Sequence, residues 1–170
     1  WSSVHEICPD IKFQLVPFEN TPQSSVEILK NLGKNIDIVA GLFDEAFLKS
    51  RKCDGLLLSY EPIRCAVSIY SELSRKSVLD VSDLYNKNFM IIHRGWNKCL
   101  DVMRDDLMKN HSHVNIVDFD MFTLNAFNQC ENSDNMMICI DSWANVHPLL
   151  KVLPVNWDYC VPFGLLHSPE

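Results

Sequence analysis

Glycine is scarce in this chain, with five in 170 residues, and none falls in a phosphate-binding loop. The short signatures of hydrolytic and metal enzymes are missing too, since there is no G-x-S-x-G elbow and no H-E-x-x-H. Basic residues are outnumbered, 15 Lys and Arg against 22 Asp and Glu, for a formal charge of -7. Broad contact with a DNA or RNA backbone needs the opposite balance. No apolar run is long enough to cross a bilayer, and no N-terminal stretch reads as a secretory signal. The expectation is a cytoplasmic chain with no membrane contact. It opens on Trp1 instead of Met, which reads as a piece of something longer.

Cysteine is plentiful but unpaired in pattern. Cys8, Cys53, Cys65, Cys99, Cys130, Cys139 and Cys160 make an odd count with no C-x-x-C, several of them inside apolar runs. A secreted disulfide scaffold is shorter and evenly paired, so free thiols in a reducing compartment are expected. His111 and His113 sit in a polar turn with no third ligand at useful spacing, so no metal and no cofactor are expected.

What is present is alternation of helices and strands. Residues 24 to 43 set the pattern: Val26, Ile28, Leu29 and Leu32 lie near helical spacing, Ser24 or Ser25 caps, and Gly33 is a C-terminal stop. Ile36, Ile38, Val39 and Ala40 form a short strand, broken by Gly41 before Leu42 and Phe43. Trp1 to Cys8 reads as a helix end and Ile11 to Val16 as a half-buried strand with period 2. Residues 44 to 54 are irregular or one helical turn, and 55 to 62 and 63 to 70 read as two strands. A short helix ends at Leu84, followed by a strand at Phe89 to Ile92 and a helix from Trp96 to Asn110. Val114 to Phe119, Met136 to Ile140, Lys151 to Pro154 and Cys160 to Leu166 are further strands, with Pro162 placing the last at a sheet edge or a bulge. Asp120 caps a helix over Met121 to Cys130, and Asp141 with Ser142 opens a helical turn. The class is α/β with mostly parallel sheets, whose ligands gather at the carboxyl ends of the strands.

Those ends select the candidate residues. Gly41, Leu42 and Phe43 follow the first strand of the pattern. His93, Arg94, Gly95 and Trp96 join a strand to a helix N-terminus, where amides and the helix dipole favour an anion. Arg94 is then either a carboxylate clamp or a solvated cation, and Trp96 a ligand contact or a lid. Phe119 and Phe122 can wall an apolar ligand, while Asp120 is a wall or, more simply, a cap. Asp141 and Ser142 close the ring, and Ser68 is a further candidate.

The order of these pieces resembles the effector-binding domain of LysR-type transcriptional regulators. IKFQLVPF followed by ILKNLGKNIDIVAG is similar to that family's strand, helix and glycine-ended strand. EPIRCAVSIYSELSRKSVLDVSDLYNKNFMII resembles its return strand and polar connection, and VLPVNW with PFGLLHSPE its closing pair. The resemblance implies a two-lobed periplasmic-binding-protein type II fold with helices on both sheet faces and the first strand missing. Residues 1–64 and 145–170 would form lobe I, and 65–144 lobe II, with crossover strands near Ile63 to Ser68 and Cys139 to Asp141. A small-molecule effector, expected to be an organic anion, would bind between the lobes. DNA would be reached only through an N-terminal domain absent from this chain. Dimers or tetramers would pair through Trp1 to Cys8 and Ile11 to Val16, and some relatives use a redox cysteine pair, which no spacing here selects. The alternatives are a solute-binding protein or an enzyme on the same fold, or a dimerisation module without ligand. A helix-turn-helix encoded upstream separates the regulator from a transport receptor, which needs a secretory signal there.

Overall fold

A computed structural model describes residues 6–18 and 21–169. The elements are α1 (Pro22–Lys30), β1 (Ile38–Leu42), α2 (Glu45–Arg51), β2 (Asp54–Ser68), β3 (Asn88–Ile92), α3 (Lys98–Asn110), β4 (Asn115–Phe119), α4 (Leu124–Glu131), β5 (Met136–Ile140), β6 (Leu150–Leu153) and β7 (Cys160–His167), with 3-10 turns at Glu72–Arg75, Val81–Leu84 and Asp141–Trp143. No helix among the described residues is long and apolar enough to cross a membrane.

The strands form one sheet in the order β1-β7-β2-β5-β3-β4, with β6 also beside β2. Its backbone is β2, a single strand of 15 residues where the sequence suggests two. Residues 54 to 62 of β2 pair antiparallel with β7, and 63 to 68 pair antiparallel with β5 and β6. Pro62 does not break it. The Ile63 N–H donates to Tyr159 O at 2.9 Å, and neighbouring residues of a strand face opposite neighbours. The missing donor of Pro62 therefore faces the side where pairing with β5 starts only at Ile63.

Pro162 follows the same logic. β7 is an interior strand between β1 and β2, not an edge. Pro162 O accepts from Phe43 N at 3.3 Å, so its absent N–H also points past the end of β1, whose register stops at Leu42 opposite Phe163. Opposite, β2 carries a register shift between Leu57 and Ser59. Among the named strands β3 pairs parallel with β4 and β5, as the mostly parallel reading expects, while the pairings of β1, β2, β6 and β7 are antiparallel.

Several local boundaries differ from the sequence reading. α1 begins at Pro22, with Thr21 as cap, because Pro at the first helical positions sacrifices no helix bond and the Thr21 hydroxyl accepts from the Ser24 N–H. Gly33 has φ +76 and turns the chain toward β1. Gly41 continues β1 instead of ending it, facing Gly164 across the ladder. Residues 11–18 carry exposed side chains and no strand; an alternating pattern becomes a strand only where a ladder partner lies alongside. Glu6 and Ile7 are the end of a helix, and the expected contacts of Trp1 and Val4 lie outside the described residues.

Two apolar clusters hold the halves of the sheet. The larger wraps β3, β5 and the second half of β2, with α3 and α4 supplying Leu100, Met103, Leu107, Phe127 and Cys130. The smaller joins Leu29 of α1 and Leu32 just after it to Phe43, Cys53 and Leu166. β5 is buried at all five positions, as its unbroken apolar run demands.

Gly164 and Gly41 predict opposite outcomes. A Cβ on Gly164 would lie 2.1 Å from Leu56 O, whereas one on Gly41 meets nothing within 4 Å. Gly164→Ala should lose about 3 kcal/mol in urea denaturation, and Gly41→Ala should change stability by under about 1 kcal/mol.

Candidate functional site

A cavity of about 1100 Å³ opens where β1, β3 and β4 end, somewhat above the roughly 300–1,000 Å³ of ordinary ligand pockets. One wall comes from α1, β1 and α2, through Leu29, Gly41, Leu42, Asp44 and Phe47 among others. The facing wall comes from the loops after β3, β4 and β5, through His93, Gly95, Trp96, Lys98, Asp120, Met121, Phe122 and Trp143.

Phe122 is the centre of the facing wall. Its ring lies 4.7 Å from Trp143, 4.9 Å from Phe119 and 5.8 Å from Trp96, the last two edge-on. Edge-to-face packing of this kind fixes ring orientation beyond simple burial. Phe119 stands behind Phe122, buried and off the cavity surface. The opposite wall adds Phe47, over which the Arg51 guanidinium sits at 5.8 Å. The result is a slot with aromatic sides.

The loop after β3 is set by its own polar groups. Asn97 caps α3, accepting from Cys99 N at 2.9 Å and Leu100 N at 3.4 Å. Gly95, at φ +87, donates its N–H to the Asp101 carboxylate at 3.0 and 3.2 Å. Lys98 donates its N–H to Asp44 Oδ2 at 2.7 Å, across the cavity from α2. Beneath, the buried Arg104 of α3 donates to Ile92 O at 2.8 Å and pairs with Asp118 at 2.6 Å, tying α3 to the carboxyl ends of β3 and β4.

The candidate residues separate cleanly. Gly41, Leu42, His93, Gly95, Trp96, Asp120 and Phe122 line the cavity together. Arg94 is exposed and directs its guanidinium at Asp105, 2.5 Å away, outside the lining. Phe43 turns into the smaller core, beside Gly55 and Gly164. Ser68 ends β2, where its Oγ accepts from Tyr70 N at 3.3 Å. Asp141 is held by Arg64, whose Nε and Nη2 donate at 2.8 Å each and keep its carboxyl below the usual range. Ser142 is exposed and off the cavity, and its neighbour Trp143 lines it instead. Asp120 is not a helix cap, because α4 starts at Leu124 and Thr123 accepts from Ala126 N.

Sequence reasoning missed Asp44, Phe47, Lys98 and Trp143. Asp44 and Phe47 sit three residues apart at a helix start, a spacing that signals a cap. Nothing local says that the cap also reaches Lys98. His111 joins Tyr85 through a hydrogen bond at 2.9 Å, and no metal-ligand group of three occurs among the described residues.

No protein-family model and no curated protein matches the chain. Solved structures do. CbnR, described as a LysR family transcriptional regulator, is similar over 99% of this chain and 57% of its own, at 15% identity and TM-score 0.69. The effector-binding domain of QuiR, solved with shikimate, matches 99% of this chain and 78% of its own, at 13% identity and TM-score 0.63. The effector-binding domain of BenM, solved with benzoate, matches 99% and 75%, at 15% identity and TM-score 0.58. The chain shares their α/β fold.

The thiols make a chemical prediction. Burial pushes Cys130 and Cys139 up to about 12 and Cys65 well above the usual range, whereas Cys8 and Cys160 are exposed. Thiolate is the reactive form. Iodoacetamide labelling of the native chain, read by peptide mass spectrometry, should modify Cys8 and Cys160 first and leave Cys65, Cys130 and Cys139 untouched until denaturation.

Proposed function

We propose that this chain is the ligand-sensing regulatory domain of a LysR-type transcriptional regulator. The observation that carries the reading is the cavity between Gly41 to Phe47 on one side and His93 to Phe122 on the other, in a fold shared with the effector-binding domains of QuiR and BenM. Its two walls hang from the two halves of β2, so a molecule touching both acts on their relative placement. A ligand shifts such an equilibrium only by its differential affinity for the two arrangements.

In this reading lobe I is built on β1, β7 and the first half of β2, and lobe II on β3, β4 and β5. β6 pairs with the second half of β2, so the return to lobe I falls near Asn156 to Cys160, later than residue 145. The effector is a small organic anion with a planar or apolar body. The aromatic faces of Trp96, Phe122 and Trp143 take the body, and Lys98, exposed with no ion-pair partner among the described residues, takes the charge. Shikimate and benzoate, the molecules solved with QuiR and BenM, are carboxylates on six-membered rings. DNA contact belongs to a separate helix-turn-helix domain, consistent with the charge of -7 here. The domain works in the cytoplasm, as a dimer or tetramer, and turns over no substrate.

Calorimetric titration with benzoate, shikimate and related carboxylates tests this. One of them should bind, and Lys98→Ala should weaken it about threefold to tenfold, the loss of one partly solvated charge contact. Arg94→Ala should stay within about twofold, because that guanidinium is committed to Asp105. Binding that ignores Lys98 would remove the anion from this part of the slot.

A further inference from the structure

Asp44 makes two hydrogen bonds that belong to different walls of the cavity. Its Oδ1 accepts from the Phe47 N–H at 2.7 Å, capping α2 on the β1 side. Its Oδ2 accepts from the Lys98 N–H at 2.7 Å, on the β3 side. The two acceptor atoms of one carboxylate thus join residues 51 positions apart in sequence, at the mouth of the slot where both line the cavity. Bonds to a charged acceptor are the stronger kind. Another polar contact from α3 to the β7 side, among the described residues, is Tyr159 to Asp106. It lies beside the middle of β2, where the Tyr159 carbonyl accepts from the Ile63 N–H.

We infer that Asp44 is a tie between the two walls, holding the ligand-free chain in the joined arrangement and setting which charge the slot admits. The inference rests on the effector reading above. A fixed carboxylate at the mouth repels an incoming anion and, with Asp101 and Asp120 also on the lining, makes the joined arrangement unfavourable for it. An anionic effector therefore favours the arrangement in which the Asp44–Lys98 bond is broken, and binding converts directly into wall movement. Asp44 is a positioning and selectivity residue; the effector need not touch it.

Asp44→Asn isolates the second bond. Asn is as good a helix cap as Asp and retains one carbonyl oxygen for Phe47, but it lacks the second carboxylate oxygen and the charge. Amide hydrogen exchange by NMR on the ligand-free chain should show the Lys98 amide exchanging about tenfold faster in the variant, with the Phe47 amide unchanged. Titration with benzoate should show the variant binding about tenfold tighter than the parent, because an internal charge repulsion and a competing arrangement are both gone. Unchanged exchange at Lys98 would overturn the tie. Equal or weaker benzoate affinity in the variant, with Lys98 exchange raised, would overturn the selectivity role. Absence of carboxylate binding in both forms would overturn the effector reading and the selectivity built on it, and the exchange result still decides the tie on its own.

Discussion

The structure depends on one strand. β2 runs 15 residues without interruption, pairing with β7 over its first half and with β5 and β6 over its second. Both walls of the cavity hang from one half or the other: β1 and α2 reach it through β7, and the His93 and Phe122 loops through β5 and β3. A continuous strand allows twist between its ends while preserving its ladder bonds. The two walls of the slot are therefore joined through a single strand.

The slot is polar at its rim and aromatic at its side. Phe122 and its ring partners form a rigid surface, and Arg104 under α3 fixes the loop that carries Trp96 and Lys98. Two carboxylates at the mouth are held internally: Asp101 by Gly95, and Asp44 by Phe47 and Lys98. A ligand that broke those bonds would have to replace them, since a buried polar group left unpaired is costly.

Much of this was legible in the residues. Met136 to Ile140 reads as a buried strand because all five side chains are apolar, and it is one. The α3 stripe of Leu100, Met103 and Leu107 fixes the helix and the face it buries. The strand-end logic picks out Gly41, Leu42, His93, Gly95, Trp96, Asp120 and Phe122, and these line one cavity. What failed was decided at a distance. Pro62 and Pro162 look like breaks until each missing N–H is seen to point where no ladder bond is due. Gly41 looks like a stop, yet it faces Gly164, on the other side of which β2 passes too close for any side chain. The alternation of residues 11–16 specifies a strand only if a partner lies beside it, and pairing is not encoded in the segment itself. Arg94 has the chemistry of a carboxylate clamp, and its ion pair with Asp105, one helix turn beyond Asp101, decides where it points. Asp44 shows the same limit, for its cap to Phe47 is local and its bond to Lys98 is not.

The central claim is that one small molecule touches both walls at once. Amide chemical-shift mapping of the chain against a saturating carboxylate ligand tests it most directly. The account predicts shifts at Gly41 to Phe47 and at His93 to Lys98 and Asp120 to Phe122 with a single common affinity, and smaller ones along residues 60 to 66 of β2 where the halves meet. Shifts confined to one wall, or scattered over the surface with no shared saturation, would contradict it.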